Sequence, residues 1–513
     1  MTSVQVSIAD VANELVDKSG PEGHEFIYVD ISSIDRKTKK IIETKILASD
    51  NAPSRAKQRL REGDVLVSMT RPNLNAVAMV PPSLEGSIGS TGFHVIRSNV
   101  VDPKLMYYLV QSRDFIDKMC EKVQGALYPA VRPKDITSYI FNLPSSLERQ
   151  RKIVAKIEEL FSELDNGIAA LKTAREQLKV YRQAVLKHAF EGKLTAKWRE
   201  ENINKLESPE QLLARIQQER EARYQQQLDE WKAAVKAWEA NGKEGKKPGK
   251  PSTPPETKPV STSDFEIPSE WIVSELGSIA YESVLGKMLD KQKNIGEERP
   301  YLGNINVRWG TFKIDEVKTM KIEESEIARY SLVNGDLVIC EGGEPGRCAV
   351  WSGEDGVIFI QKALHRVRFT ESYLPKFAFY YLTYSVPLER VVKHFTGTTI
   401  KHLTGTGLNK VQLPVCSADE QNEIISIIES KLSEIDALDS ELEVQLAKAE
   451  TLRQSILKKA FSGKLVPQDP NDEPASELLA RIRAEKSQQK TAAKPVRKIT
   501  ACKRGRKPGE VSA

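Results

Sequence analysis

The feature that most constrains the fold is a repeat within the chain. Residues 186–194 read LKHAFEGKL, and residues 457–465 read LKKAFSGKL. When Leu186 is laid on Leu457, residues 149–194 align with residues 420–465 without a gap. After this stretch both copies resume with LLARI, at 212–216 and 478–482. A long match without gaps is typical of a duplicated structural unit, and each copy is predicted to include a second, shorter helix.

The repeated segments have the apolar spacing of long helices. In both copies apolar residues recur every seven positions, at Ile157, Leu164, Leu171, Leu178 and Val185 and at Ile428, Ile435, Leu442, Ala449 and Ile456. Tyr181, Leu438 and Leu452 are expected beside them in the same apolar seam. Each helix should span roughly 35 residues, or about 50 Å.

An apolar seam of this length needs a partner, and the nearest candidate is the other copy in the same chain. We therefore predict that the two helices pair with each other. Two alternatives stay open, namely packing of each helix on its own flanking domain, and pairing between two chains.

A β-rich segment lies before each long helix, and the two segments resemble each other. REGDVLVS at 61–68 matches VNGDLVIC at 333–340, and PKLMYYLV at 103–110 matches PKFAFYYL at 375–382. The predicted order is a first globular domain (1–145), a first long helix (146–199), a charged helical extension (200–240), a flexible linker (241–263), a second globular domain (264–415), a second long helix with its short helix (416–486) and a basic tail without fixed structure (487–513).

Length, charge and cysteine usage bound the class of protein. A chain of 513 residues is too long for a single core. A net charge of +5 permits a nucleic-acid partner without demonstrating one. Five widely spaced cysteines argue against a disulfide framework. The sequence has neither a leader pattern nor a run of about 18 apolar residues, so we expect a cytoplasmic protein with no membrane partner.

These features together resemble the specificity subunit of type I restriction-modification enzymes. The resemblance rests on the tandem layout, on LPSSLERQ (143–150) and LPVCSADEQ (413–421) at the starts of the long helices, on the AFxGKL ends and on the Pro-x-x-Trp step at Pro268. It implies an α+β fold, with two α/β target recognition domains separated by two long antiparallel coiled-coil helices in a pseudo-twofold internal repeat.

The resemblance also implies a function and partners. Each recognition domain would read one half of a split, asymmetric site on double-stranded DNA, and the helices would set the gap between the half-sites. Two methylation subunits and the restriction and translocation subunits would dock on the helices. S-adenosylmethionine, ATP and Mg would act in those partner subunits, and this chain would need no cofactor of its own.

Basic and amide side chains in loops are the candidates for DNA contact. Residues 36–61 carry nine Lys or Arg against two acidic residues, a density suited to phosphates. Arg and Asn side chains can also read guanine and adenine edges. The predicted contact residues are Lys57, Arg59, Arg71, Asn73, Asn75, Tyr128, Arg132 and Lys134 in the first domain and Asn306, Arg308, Trp309, Arg347, Lys401 and His402 in the second. The alternative is that these loops are solvated turns of a β-rich scaffold.

We find no motif for catalysis in the sequence. A Gly-rich cofactor turn, an Asn-Pro-Pro-aromatic loop, a Walker A motif and a metal-ligand spacing are all missing. The chain is therefore predicted to be a non-catalytic DNA-recognition subunit. Two other classes stay open: a self-sufficient methyltransferase or nuclease with diverged motifs, and a coiled-coil scaffold between proteins.

Overall fold

The computed structural model describes residues 3–12, 15–123, 129–244, 247–260, 266–290, 292, 294–467 and 474–492. The chain divides into two units. The first unit combines Met1–Lys172 with Leu442–Ala513, and the second is Thr173–Glu441. Each unit contains strands as well as helices, which confirms the predicted α+β class.

The globular domain of the first unit has eleven strands and four short helices among its described residues. The strands are β1 (Ser3–Ser7), β2 (Glu25–Val29), β3 (Ile34–Asp35), β4 (Lys40–Ile41), β5 (Lys45–Ala48), β6 (Ala56–Arg59), β7 (Val65–Ser68), β8 (Val77–Met79), β9 (Ile88–Ser90), β10 (Phe93–Ile96) and β11 (Ile140–Pro144). The helices are α1 (Ile8–Val11), α2 (Pro103–Leu109), α3 (Arg113–Glu121) and α4 (Pro133–Thr137).

Two sheets and a terminal strand pair organise this domain. The sheets have the strand orders β5-β2-β9-β6 and β10-β7-β8, and β1 pairs antiparallel with β11. The VLVS sequence of β7 is buried at all four positions because this strand lies between β10 and β8 with its faces covered.

Three helices connect the two globular domains. They are α5 (Leu147–Phe190), α6 (Ala196–Asn202) and α7 (Pro209–Ala240). Ser208 caps α7 by accepting from the Gln211 backbone N–H, while the Gln211 side chain accepts from the Ser208 N–H. This reciprocal pair is a capping box, and Pro209 occupies the first helical position.

The second unit holds a domain of the same design. Its strands are β12 (Ile272–Glu275), β13 (Ala280–Leu285), β14 (Glu297–Leu302), β15 (Val307–Arg308), β16 (Thr311–Phe312), β17 (Lys318–Ile322), β18 (Leu337–Cys340), β19 (Cys348–Val350), β20 (Phe359–Ile360), β21 (Leu364–Phe369) and β22 (Gln412–Val415). Its helices are α8 (Leu276–Ile279), α9 (Ile327–Tyr330), α10 (Pro375–Ser385) and α11 (Gly405–Asn409), and α12 (Ala418–Phe461) and α13 (Ala475–Ala492) follow. The strand orders are β17-β14-β20 and β13-β21-β18-β19, with the pair β12-β22. The orders β17-β14-β20 and β21-β18-β19 repeat β5-β2-β9 and β10-β7-β8 of the first domain, while β6 and β13 each extend a sheet in one domain only.

The matched sequences REGDVLVS and VNGDLVIC each contain a Gly-Asp turn, and its aspartate forms the same buried ion pair in each domain. Asp64 accepts from Arg97 Nε at 2.7 Å and from the Arg61 backbone N–H at 2.8 Å. Asp336 accepts from Arg368 Nε at 2.6 Å and from the Val333 N–H at 2.8 Å. Both carboxylates are buried. The turn residue therefore ties the start of a central strand to its neighbour in the sheet in both copies.

The long helices pair antiparallel within each unit. In the second unit, Arg175 Nε lies 2.7 Å from Asp439 of α12, and Arg182 pairs with Asp436. In the first unit, Arg453 pairs with Asp165. The residues of the last two pairs are repeat equivalents of each other, 271 positions apart. The predicted pairing of the two helices within the chain is confirmed.

The helices are longer than the sequence pattern predicted. Each has 44 residues, or about 66 Å, because the ends of the apolar seam pack on the globular domains. The seam between the helices is also narrower than predicted. Tyr181, Leu438 and Leu452 are 48%, 54% and 50% exposed.

The end of one repeat completes the core of each globular domain. In the second unit, Leu186, Ala189 and Phe190 with Leu212, Leu213 and Ile216 belong to the core built around α10. Phe190 packs on Phe377, Tyr381 and Tyr384. In the first unit, the same role falls to Ile456, Leu457, Ala460, Leu478, Leu479 and Ile482. The nonapeptide and the LLARI sequence occur twice because two similar domains need the same cover.

A glutamine near the start of each long helix, the last residue of LERQ and of DEQ, has the same structural role in both copies. Gln150 Oε1 accepts from the Asp102 backbone N–H at 3.0 Å, and Gln421 Oε1 accepts from the Leu374 N–H at 2.8 Å. Both side chains are buried. They satisfy a backbone donor where α2 and α10 begin.

Residues 247–260, which the composition predicts to be part of a flexible linker, have defined contacts in the structure. Arg220 of α7 donates to the Pro255 carbonyl at 2.8 Å and to Thr257 Oγ1 at 2.9 Å. Trp231 Nε1 donates to the Pro248 carbonyl at 3.0 Å. Val260 donates its backbone N–H to Val273 of β12. The segment therefore runs back along α7 to the second domain.

Across the described part of the chain, no helix combines the length and the apolar character that crossing a membrane requires.

Candidate nucleic-acid interface

Three loops of the second domain meet on one surface. They are the β15–β16 hairpin with its preceding turn (303–312), the loop between β18 and β19 (341–347) and the loop before α11 (394–404). Asn304 Nδ2 donates to the Gly342 carbonyl at 3.0 Å, and Leu403 donates its N–H to the Glu341 carbonyl at 2.7 Å. A Cβ at Gly342 would lie 3.0 Å from His402 Nδ1. The absence of a side chain at Gly342 lets the His402 ring approach the loop.

Glu344 holds two of the predicted contact residues in this cluster. Its Oε1 accepts from Trp309 Nε1 at 2.8 Å, and its Oε2 accepts from Arg347 Nη1 at 2.8 Å. Arg347 Nη2 also donates to the Asn304 carbonyl at 2.8 Å. Since Glu344 is half exposed while Arg347 is only 16% exposed, the guanidinium and the indole have fixed orientations beside the solvent.

The remaining basic candidates of the second domain are exposed. Arg308 lies on the hairpin, and its Nη1 donates to the carbonyl of Val307 at 3.1 Å. Lys401 and His402 are exposed, and His402 exchanges backbone hydrogen bonds with Thr396. The structure therefore brings Arg308, Trp309, Arg347 and His402 into neighbouring loops.

The corresponding surface of the first domain is formed by the loop between β7 and β8 and by residues 129–134. Arg71 donates its N–H to the Pro129 carbonyl at 2.7 Å, and Val131 donates to the Met69 carbonyl at 2.8 Å. The side chains of Arg71, Asn73, Arg132 and Lys134 are exposed. Arg71 has a φ of 49°, a left-handed conformation that is uncommon outside glycine and often marks a functional loop.

The two candidates on β6 differ in their surroundings. Lys57 is exposed. Arg59 Nη2 lies 2.9 Å from Glu22, and its Nε lies 3.8 Å from Asp17. Arg59 therefore has nearby carboxylates that a DNA phosphate would have to replace.

Two of the predicted asparagines are buried and are held by the fold. Asn75 Nδ2 donates to the Val110 carbonyl at 2.8 Å. Asn306 Nδ2 donates to the Lys313 carbonyl at 2.9 Å, and its Oδ1 accepts from the Gly303 N–H. An Asn in a loop looks the same in sequence whether it closes the turn or faces a ligand. Both side-chain amides are therefore engaged by the protein's own backbone. Tyr128 lies outside the described residues.

Sequence reasoning missed Glu344 and Lys39. Glu344 lies in the sequence EGGEPGRC (341–348), but an acidic residue is not expected at a DNA surface. Lys39 Nζ donates to the Asn75 carbonyl at 2.6 Å, and burial lowers the pKa of its ammonium to about 8. Lys39 lies in the β3–β4 hairpin turn and has a φ of 56°. Gly310 occupies the equivalent position in the second domain. The left-handed conformation of Lys39 could not be read from the sequence.

The described residues contain no group of three or more His, Cys, Asp or Glu side chains placed to hold a metal ion.

Comparisons with known proteins bear on the same residues. The sequence model of the family described as "Type I restriction modification DNA specificity domain" matches residues 268–447, which include the second globular domain and most of α12. The specificity subunit of the type I restriction enzyme EcoDI from Escherichia coli is 23% identical over 404 residues, which are 77% of this chain and 79% of that protein. The second globular domain thus matches this family, and the chain as a whole is similar to type I restriction-modification specificity subunits.

Solved structures agree with this family in fold. The HsdS subunit from Thermoanaerobacter tengcongensis has a TM-score of 0.58 at 23% identity, over 90% of this chain and 97% of that one. A chain from a study of complex assembly and conformational transition in the type I R-M system has a TM-score of 0.64 at 23% identity, over 90% and 98%. The likeness in fold extends over both globular domains of this chain.

Proposed function

We propose that this chain reads a bipartite, asymmetric sequence on double-stranded DNA, with one half-site for each globular domain. The observation that carries the proposal is a shared framework with different side chains in equivalent loops. The Asp64–Arg97 pair of the first domain has its counterpart in Asp336–Arg368. By contrast, the loop after β7 presents Arg71 and Asn73, whereas the loop after β18 presents Glu344 with Arg347.

This difference favours an asymmetric target over a symmetric one. Two domains with one framework approach a duplex in the same manner, but the side chains that reach the base edges set the half-site. Arginine pairs bidentately with guanine, and asparagine pairs with adenine. Unlike loops therefore favour two unlike half-sites. Lys57, Lys134 and Lys401 are exposed and suit phosphate contacts, which position a protein without reading sequence.

A docking surface for partner proteins would also occur twice. Tyr181 and Leu452 are repeat equivalents, and both are about half exposed. Each lies next to the arginine of an interhelical pair, Arg182 or Arg453. Large apolar side chains that stay exposed next to fixed charges are typical of an interface. We infer two methylation subunits as partners, with restriction and translocation subunits in the complete enzyme.

Catalysis would then belong to the partners. S-adenosylmethionine would serve the methylation subunits, and ATP and Mg would serve the restriction subunits. This chain would supply recognition without a cofactor of its own.

Selection from randomised duplexes tests the proposal. The full chain with its methylation subunits is expected to enrich two short conserved blocks separated by a fixed gap. Arg347→Gln should relax one block, by about 1–3 kcal/mol for one base pair, and leave the other unchanged. Arg71→Gln is the matched variant of the first domain and should relax the other block. A single enriched block, or the same block altered by both variants, would contradict one half-site per domain.

A further inference from the structure

A cavity lies in the second unit, away from the loops of the candidate interface. It is bounded by α7, by residues 252–255 and by the chain from Gly277 to Ser283, and its volume is about 380 Å³. This volume is within the range of small-molecule sites, about 300–1,000 Å³. Its polar lining includes Arg220, Arg223, Tyr224, Thr253, Tyr281 and Ser283.

Arg220 is a buried cation at the wall of this cavity. The residue is 4% exposed. Its Nη1 donates to the Pro255 carbonyl at 2.8 Å, to Thr257 Oγ1 at 2.9 Å and to the Ser278 carbonyl at 2.6 Å, and Nη2 donates to the Gly277 carbonyl at 3.2 Å. All these acceptors are neutral. The Nε atom is buried and has no hydrogen-bond partner among the described residues.

The charge of Arg220 is therefore solvated without being neutralised. Burial lowers the pKa of its guanidinium, as expected for a cation moved away from water without a countercharge. Among the described residues that line the cavity, the one carboxylate is Glu282. That carboxylate already contacts Arg366 Nη2 at 2.7 Å and Arg368 Nη1 at 3.1 Å.

A second cation and an aromatic face stand at the same cavity. The Arg223 guanidinium lies 4.6 Å from the centre of the Tyr281 ring. Tyr224 Oη lies 3.3 Å from Thr253 Oγ1. The lining thus combines two guanidinium groups, which bind phosphoryl oxygens through paired N–H donors, with hydroxyl groups and a planar ring.

We propose that this cavity binds a small phosphorylated ligand of mononucleotide size. The phosphoryl group lies between Arg220 and Arg223 and supplies the countercharge that the described residues lack. The hydroxyl groups of Tyr224 and Thr253 donate to the remaining oxygens, and the planar part of the ligand faces Tyr281. Binding joins α7 and residues 252–255 to the second domain and so stabilises their contact.

Isothermal titration of the full chain with inorganic phosphate, AMP and adenosine tests the proposal. Phosphate and AMP are expected to bind, and adenosine is not. Arg223 is exposed and can be changed without disturbing the core, so Arg223→Gln is expected to weaken AMP binding by about tenfold, the usual effect of losing a charge-assisted contact. Lys236→Gln removes the same charge from an exposed position on α7 outside the cavity and should leave the affinity unchanged.

Other outcomes overturn the proposal. It fails if neither phosphate nor AMP binds, if adenosine binds as tightly as AMP, or if Arg223→Gln binds AMP like the unmodified chain. It also fails if duplex DNA displaces AMP and Arg223→Gln weakens duplex binding, because the cavity would then hold a backbone phosphate of DNA. The duplex selection described above should be the same for Arg223→Gln and the unmodified chain, so the two proposals fail separately.

Discussion

The buried ion pair between Arg199 and Glu420 should dominate the attachment of residues 192–199 to the second domain. Glu420 is 1% exposed and Arg199 is 8% exposed. Glu420 Oε1 accepts from Arg199 Nε at 2.9 Å, from Arg199 Nη2 at 2.7 Å and from Thr195 Oγ1 at 2.7 Å. Its Oε2 accepts from Trp271 Nε1 at 2.9 Å. One carboxylate thus satisfies three side chains from two separate segments.

Glu420→Ala is expected to lower the free energy of unfolding of the second unit by about 3–5 kcal/mol, the usual cost of leaving one partner of a buried pair without its countercharge. Replacing both Arg199 and Glu420 by Met should restore part of the loss, since no buried charge then remains, while Trp271 Nε1 still lacks its acceptor. Asp419→Ala is the matched control because it removes an exposed carboxylate one residue earlier.

Tryptophan fluorescence during urea unfolding measures the effect in the relevant unit. All six tryptophans of the chain lie between residues 198 and 351, inside the second unit. The signal therefore follows that unit alone. If Glu420→Ala unfolded at the same urea concentration as Asp419→Ala, the carboxylate would not stabilise this attachment and the reasoning would be refuted.

Two further predictions concern a glycine and a histidine. Gly192 and Gly463 are repeat equivalents with φ values of 67° and 74°, but a Cβ at Gly192 would overlap Pro268, whereas a Cβ at Gly463 meets nothing within 4 Å. By circular dichroism during urea unfolding, Gly192→Ala should cost at least about 2 kcal/mol more than Gly463→Ala, and equal losses would contradict the contact. Burial and Lys18 lower the pKa of His94 to about 4. The unfolded chain therefore binds a proton below about pH 6.5 that the folded chain does not. This histidine should reduce stability as the pH falls from about 6.5 towards 4, by up to about 3 kcal/mol, and His94→Gln should remove that part of the pH dependence. An unchanged slope would show that His94 titrates normally.

Periodicity made the helical part of the fold predictable. Heptad spacing identifies a long helix because every seventh residue returns to the same face. The repeat identified its partner, since two like seams in one chain can cover each other. The ends of the helices were less predictable. Phe190 and Leu457 belong to the cores of globular domains, and in sequence an apolar residue has the same appearance in a seam and in a core.

The candidate interface was predictable by loop and not by residue. Arg71, Arg308 and Arg347 were predicted to lie in loops, and the structure places those loops on domain surfaces. Asn75 and Asn306 are turned inward because local backbone groups need their amides. Whether an asparagine side chain points inward or outward depends on atoms that are distant in sequence, such as the Val110 carbonyl that accepts from Asn75.

The first unit is built from two segments that are far apart in the chain, and this affects the order in which the domains fold during synthesis. Residues 1–172 leave the ribosome first, but their core includes Leu457, Leu478 and Ile482, which are made several hundred residues later. The second domain needs only segments synthesised before residue 442. The domain translated first is therefore the last to finish folding, and until then its apolar face at β1 and α1 is open to chaperones.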